Sequence, residues 1–467
     1  MSSIFTILIL TFLQFFTGSG VLSLCGIRLK PGLFLPLAIL LGIAVFSIIP
    51  FLLQLFFIPL TAANIFISLL LTSAALNCRF RRSIQQIKFL FRNAHFGFKL
   101  YHIPFLIVIS FIVFISAWRC YYFPPTPRDL TSGPEVIAEY TVKEKNMINS
   151  VFTVNLETTN NQFKPPFITS LQIIYKYAGF PFGQIWLSAV FISFLIFLYH
   201  ALLLRIHSLV AGLLIIFFVA IPEMYAYSFM VLFDYSNAVF FFLSIYFLFD
   251  YLKTREKNKI VLAGILMAIA TYIRSETLIF AGLVMFFLLW DGMKKKIRLP
   301  NLFMSCALFL LPSGLLYLLS IKIYIDFYLP AFYNIESQLN PHLFDFNLLF
   351  KRFKDMNSKL LFSHYGIQLY AYFIFIFLLI FILDKIWSRS NKQSKNWLYA
   401  LLLVYFGYPL IGHLLPLLDI DNSTKRGLFK IFPFMLLYMA SSSVLIKLSN
   451  RIKKWEGKMP APQFNGE

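Results

Sequence analysis

The sequence predicts an all-α, polytopic membrane protein, and three observations carry that reading. Hydrophobic residues make up 59% of the 467-residue chain and charged residues only 13%, with a mean hydropathy of +0.76. Apolar runs of about 20 residues recur along most of the length, the span a helix needs to cross a hydrocarbon core. The basic residues fall in short stretches between those runs, where they set topology and meet anionic headgroups. That placement accounts for the formal charge of +21, so membrane lipids are expected partners and nucleic acid is not.

About thirteen spans are expected, at 4–24, 33–53, 57–77, 102–121, 183–204, 207–222, 227–250, 260–273, 276–290, 301–325, 365–386, 397–417 and 428–447. The first run has no basic lead and no A-x-A site, so it reads as a membrane helix and not as a cleaved signal. The stretches RFRRSIQQIKFLFRNAHFGFK (79–99), KTREKNK (253–259), KKKIR (294–298), DKIWSRSNKQSK and KLSNRIKKWEGK belong on the cytoplasmic side by their positive charge. One alternating topology satisfies all of them and puts the N-terminus outside. Residues 260–290 lie between two such stretches. A single span there would separate them, so two short helices turning at Arg274, Ser275 and Glu276 are expected.

Three longer polar stretches, 122–182, 326–364 and 418–427, then face the outer side. The first is far longer than a connection requires. It mixes charge with apolar residues, so amphipathic interfacial helices are expected in it. Ser132 is a candidate cap, with Pro134 in the first turn of the helix that follows. The chain divides into an N-terminal three-helix membrane module with its basic loop (1–101), a transmembrane core with the outer loops (102–447) and a basic cytoplasmic tail (448–467). No soluble domain and no glycine-rich phosphate loop is visible, which argues against an ATP-driven pump. Cys25, Cys78, Cys120 and Cys306 form no C-x-x-C pair, so neither a disulfide framework nor a zinc site is indicated.

Four groups of residues have chemical potential. The span 102–121 ends in WRCYYFPPTPRDL, which delivers Asp129 to the outer interface, followed by Glu135, Glu139 and Glu144. Glu135 and Glu139 stand at i, i+4. A partly desolvated carboxylate at an interface can act as a general base; the alternative is a solvated loop face paired with Lys143 and Lys145. The second group lies in NNQFKPPFITSLQIIYKYAGFPFG (160–183), where Lys164 and two prolines lead into a short helix carrying Lys176 between two tyrosines; a plain interfacial anchor is the alternative. The third lies in DNSTKRGLFKIFPFM (421–435), where Lys425 and Arg426 precede the last span on the outer side. Such cations suit phosphate, or else partner Asp419 and Asp421. The fourth comprises Glu223, Asp234, Arg274, Glu276, His200, His207 and His413, ionisable groups in or near the membrane. Asp234 and Arg274 have structural pairing as their alternative role.

Taken in order, these features resemble the GT-C superfamily of membrane glycosyltransferases, which includes the protein O-mannosyltransferases and aminoarabinose transferases. The parallel features are a membrane helix followed by an acidic outer loop and the segment KPPFITSLQIIYKYAGFPFG. The helix WLSAVFISFLIFLY and the turn with Pro222, Glu223 and Asp234 come next. The hairpin AGILMAIATYIRSETLIF and the basic lead KRGLFKIFPFMLLYMA complete the series, from about residue 102 to 447. The resemblance implies transfer of a sugar from a polyprenyl-phosphate carrier to a lipid, glycan or protein acceptor, on the outer face of a bacterial inner membrane. It assigns the base to Asp129 or Glu135. It makes Lys164, Arg274, Glu276, Lys425 and Arg426 substrate-binding, with the cations serving the lipid phosphate. The adjacent carboxylate pair of the family is absent, since Leu130 follows Asp129, and Gly427 stands after Arg426. No obligatory metal or other cofactor is expected. A transporter or flippase of envelope glycan or lipid intermediates is the alternative, and a catalytically silent scaffold is a third reading. Convergence of the outer acidic and basic residues separates the transferase from the scaffold.

Overall fold

The computed structural model describes residues 2–78, 88, 99–125, 133–153, 164–329, 345–387, 392–415 and 418–457. Among them every regular element is a helix, as a chain that must satisfy its backbone polar groups inside lipid requires. A helix stands at each of the thirteen expected positions. By length and composition, eight can cross a membrane among the described residues, or up to ten if two bent pairs each count as one span. The count falls short of thirteen because some helices are short. Ser208–Val219 has 12 residues and reaches only about 18 Å, against a hydrocarbon core of about 30 Å. The bent pairs are His364–Tyr370 with Phe373–Trp387 (94°) and Ile420–Ser441 with Ser443–Glu456 (55°).

The expected hairpin is present: Lys257–Ile273 and Thr277–Lys294 flank Arg274, Ser275 and Glu276. Lys257–Ile273 packs between Phe233–Thr254 and Leu299–Tyr317, and Phe233–Thr254 is buried over most of its length. A helix hydrophobic on all sides belongs inside a bundle. The first two helices, Ser2–Leu24 and Pro31–Leu55, cross closely at small residues: a Cβ on Gly18 would lie 1.7 Å from the Ala38 carbonyl oxygen, and one on Gly42 1.9 Å from that of Gln14. Such contacts replace the hydrophobic drive that lipid removes. This N-terminal module is packed onto the rest: Pro31–Leu55 lies against Ile185–Leu203, and Gln14 Nε2 donates to Tyr175 Oη at 2.9 Å.

Loop contacts sort into two ends of the bundle. At one end Asn258 donates to the Gly26 carbonyl (3.4 Å), the His207 amide to Ser449 Oγ (2.5 Å), and Lys99 pairs with Glu456. At the other end the Leu60 amide donates to the Lys145 carbonyl (2.8 Å), Tyr177 Oη to the Leu60 carbonyl (2.7 Å), and Lys425 pairs with Glu223. These are the groupings that an alternating path of spans requires, and helices such as Phe233–Thr254, with 22 residues, hold the ends about 33 Å apart.

The helix after Lys164 differs from the interfacial segment expected there. Phe167–Tyr177 is buried continuously from Phe167 to Tyr175 and packs against Pro31–Leu55 and Pro134–Glu144. Pro165 and Pro166 are buried with it. A helix start normally leaves amide donors unsatisfied. Pro166, its cap, has no amide hydrogen to leave unsatisfied, and the Phe167 amide donates to the Pro165 carbonyl (2.9 Å), so the start tolerates burial.

Candidate functional site

The residues that converge at one end of the bundle come from four segments distant in sequence. Asp234 lies in the first turn of Phe233–Thr254. Arg274 ends Lys257–Ile273 in an extended conformation, and Glu276 precedes Thr277–Lys294. Asn237 fixes this turn by donating to the Ala270 carbonyl (2.6 Å) and Thr277 Oγ1 (2.9 Å). The Arg274 guanidinium then reaches both carboxylates, Asp234 from Nη1 and Glu276 from Nε. All three are buried. Burial works against the charge on Arg274, but Asp234 and Glu276 outweigh it and raise its affinity for the proton.

Further cations close on this core. Arg426 Nη1 is 3.6 Å from the other oxygen of Asp234, and its Nε donates to the Asn422 carbonyl (3.1 Å). Lys164 feels Arg274, Glu276, Asp234 and Arg426. Burial first, and then repulsion from Arg274, push its ammonium below the usual lysine range, with Glu276 and Asp234 opposing. Lys430 is 1% exposed, lies in the field of Arg274, Glu276 and Asp234, and donates to Tyr408 Oη at 2.6 Å. Its ammonium sits 5.3–5.9 Å from the ring centres of Tyr408, Phe241 and Phe280, a cation–π setting. Arg274 and Arg426 thus contact the carboxylates, and Lys164 and Lys430 lie within their electrostatic reach, four basic side chains around two carboxylates. Basic side chains outnumber carboxylates here, an arrangement that suits an anion, since buried charge is costly without a counter-charge.

Lys425 is close by but differently engaged, pairing with Glu223 at 2.7 Å, while Tyr365 lies 5.9 Å away. Neither Lys425 nor Arg426 takes the expected structural partner. Asp419 instead caps its own turn, accepting from the amides of Ser423 (2.7 Å) and Asn422 (3.3 Å).

Of the candidate bases, Asp129 lies outside the described residues. Glu135 is 7% exposed on Pro134–Glu144. Its Oε1 is 2.5 Å from Lys176 Nζ, and it accepts from Gln172, which in turn accepts from Trp186 Nε1 at 2.9 Å. Burial raises its pKa, against the pull of Lys176 and Gln172. Glu139, one turn on, is exposed and pairs with Lys143 at 2.9 Å, which matches the solvated-face reading for that residue. The partners of Glu135 are therefore Lys176 and Gln172, apart from the ion pairs around Asp234. Among the described residues no group of three or more His, Cys, Asp and Glu side chains is arranged to hold a metal ion.

Of the residues that sequence reasoning named, Arg274, Glu276 and Arg426 meet around Asp234 and Lys164 lies in their field, while Lys425 pairs with Glu223. Sequence reasoning missed Lys430, which reads as one polar residue in an apolar run. The available signal was its spacing: Lys430 is four residues after Arg426 and so shares its helical face. It also missed why Gly427 follows Arg426. A Cβ on Gly427 would lie 2.1 Å from two ring carbons of Tyr408, so the glycine makes room for the ring that holds Lys430. Gly427→Ala is expected to cost about 1–3 kcal/mol of stability by overpacking. In a Tyr408→Ala background the loss should shrink, as chemical or thermal unfolding of the four proteins in detergent would measure. Equal losses in both backgrounds would refute the contact.

No protein-family model, curated protein or solved structure matches the chain. Among the described residues, fold and site define an all-α integral membrane protein with a buried cluster of basic and acidic side chains at one end of its helix bundle.

Proposed function

We propose that this protein is a membrane glycosyltransferase of the GT-C kind, moving a sugar from a polyprenyl-phosphate donor to a lipid, glycan or protein acceptor on the outer, periplasmic face. The observation that carries the reading is the convergence of Lys164, Arg274, Arg426 and Lys430 on Asp234 and Glu276. A cluster in which basic side chains outnumber carboxylates, at the end of a membrane bundle, suits a phosphate presented on a lipid. As the bond from sugar to phosphate oxygen breaks, negative charge grows on the departing phosphate, and prearranged cations stabilise it most at that moment. Lys425, next to Arg426 and held by Glu223, lines the approach. A carboxylate of the first outer loop takes the acceptor proton. Glu135 has the burial and raised pKa of a base, although its partners are Lys176 and Gln172 and not the Asp234 cluster, and Asp129 is the other candidate.

The test is sugar transfer from a labelled polyprenyl-phosphate donor in membranes containing wild type, Asp129→Asn or Glu135→Gln. One of the two variants should lose at least about 10² in rate. Full activity in both would remove the loop carboxylates from the reaction. Donor binding by the wild type without any transfer would move the reading to a transporter or flippase of lipid-linked intermediates.

A further inference from the structure

At the opposite end of the bundle, the chain's last described helix has two unlike sides. Ser443–Glu456 turns away from Ile420–Ser441 by 55°, and the Ser442 hydroxyl starts it by accepting from the Leu445 amide (3.3 Å). One side is fixed to the bundle. Leu445 and Ser449 are buried. The Ser443 amide donates to Asp384 (2.7 Å), and Ser449 Oγ accepts from the His207 amide (2.5 Å). The far end is pinned where Glu456 meets Lys99 (2.6 Å) and His207 (3.1 Å).

The other side is exposed and ordered in two rows. Lys447, Arg451 and Lys454 are exposed and recur at i, i+4 and i+7, which aligns them along one face. Leu448 and Trp455, 45% and 73% exposed, form a parallel row about 100° round the helix. A row of cations in water needs no explanation, but a bared tryptophan and leucine beside it do. The same end carries a second exposed tryptophan, Trp387 (64%), next to Ile386 (69%), and Lys447 Nζ lies 3.5 Å from the Trp387 carbonyl. Tryptophan collects at the level of lipid headgroups, and a helix with a cationic row beside an apolar one lies in the interface plane.

We infer that Ser443–Glu456 lies flat on the membrane and binds anionic phospholipid headgroups. Trp455 and Leu448 dip towards the acyl chains, and Lys447, Arg451 and Lys454 extend to the lipid phosphates. The occupant is a lipid surface and not an acidic protein, because an acidic protein would not account for the apolar row. The inference is independent of sugar transfer, since it concerns the other end of the bundle.

The test uses the full chain in vesicles of phosphatidylcholine mixed with phosphatidylglycerol, one or the other lipid carrying brominated acyl chains that quench tryptophan. The difference between wild type and Trp455→Phe isolates the Trp455 signal among the six tryptophans. That signal should be quenched, and more strongly when phosphatidylglycerol carries the bromine. In the Lys447→Gln, Arg451→Gln, Lys454→Gln triple variant, quenching should persist while the preference for phosphatidylglycerol is lost. A Trp455 signal untouched by either bromolipid would overturn the in-plane placement. Equal quenching by both lipids in the wild type would overturn the anionic specificity.

Discussion

Replacing Arg274 by methionine is expected to cost about 3–5 kcal/mol of stability, the largest loss of any single change at the site. The guanidinium is the one group that bonds both Asp234 and Glu276, and those carboxylates are 2% and 8% exposed. Removing it leaves two buried anions without their hydrogen-bonded partner. Arg426, 3.6 Å from Asp234, offsets only part of this at that distance. Lysine should be a poor substitute, because a single ammonium cannot fork to two carboxylates held in fixed directions. The cause can be separated from simple loss of packing. Arg274→Lys keeps the charge without the fork, so it should recover part of the loss that Arg274→Met incurs, whereas a pure packing effect would leave the two variants alike. Thermal and denaturant unfolding in a mild detergent would read all of these. An Arg274→Met protein as stable as wild type would show that the ion triad is not what holds the hairpin turn against Phe233–Thr254.

The same triad marks the boundary of what the chain displays locally. Its hairpin was legible because two basic stretches had to lie on one face, and that demand fixed the turn at Arg274–Glu276. The spans were legible because lipid admits few spanning structures and marks each with a long apolar run. The same signal overcounts: 207–222 reads as a span, yet Ser208–Val219 stops about two-fifths short of a full crossing. The individual cations were legible because charge is conspicuous in apolar surroundings. What joins Lys164 to Lys430 is tertiary, since 266 positions separate them and no local pattern encodes that approach. Phe167–Tyr177 misled for a related reason. Lys176 between two tyrosines resembles an interfacial edge, yet packing against Pro31–Leu55 and Pro134–Glu144 buries the rest, and such contacts override the local pattern.

Lys430→Met is expected to reduce sugar transfer by about 10²–10³, the effect of removing one preorganised group from a site where charge develops, while leaving the fold intact. Methionine nearly matches the lysine stem in length, and the box of Phe241, Phe280 and Tyr408 accepts an apolar, polarisable side chain readily. Loss of activity with retained stability would therefore separate a role in transfer from a role in folding; unchanged transfer would exclude Lys430 from the chemistry. Charge matching gives the reason to expect the former. The donor phosphate carries about one negative charge as a diester, and the departing monoester carries about 1.5 to 2 at neutral pH. A cluster with more basic side chains than carboxylates thus favours the product's charge over the substrate's, which is the differential that accelerates a reaction. Lys164 makes the argument sensitive to pH. Burial and Arg274 hold its proton affinity down, with Asp234 and Glu276 opposing and Arg426 adding to the repulsion. A phosphate beside it restores that affinity, so donor binding should take up a proton above the lowered pKa of the free protein. Activity should fall as pH rises through that value, because the ammonium and its charge are lost together. Lys164→Arg, which stays protonated throughout, should move that alkaline limb upward in a pH profile of kcat/KM. If the limb stays in place, its source is another group, and the cluster's charge at working pH does not depend on Lys164.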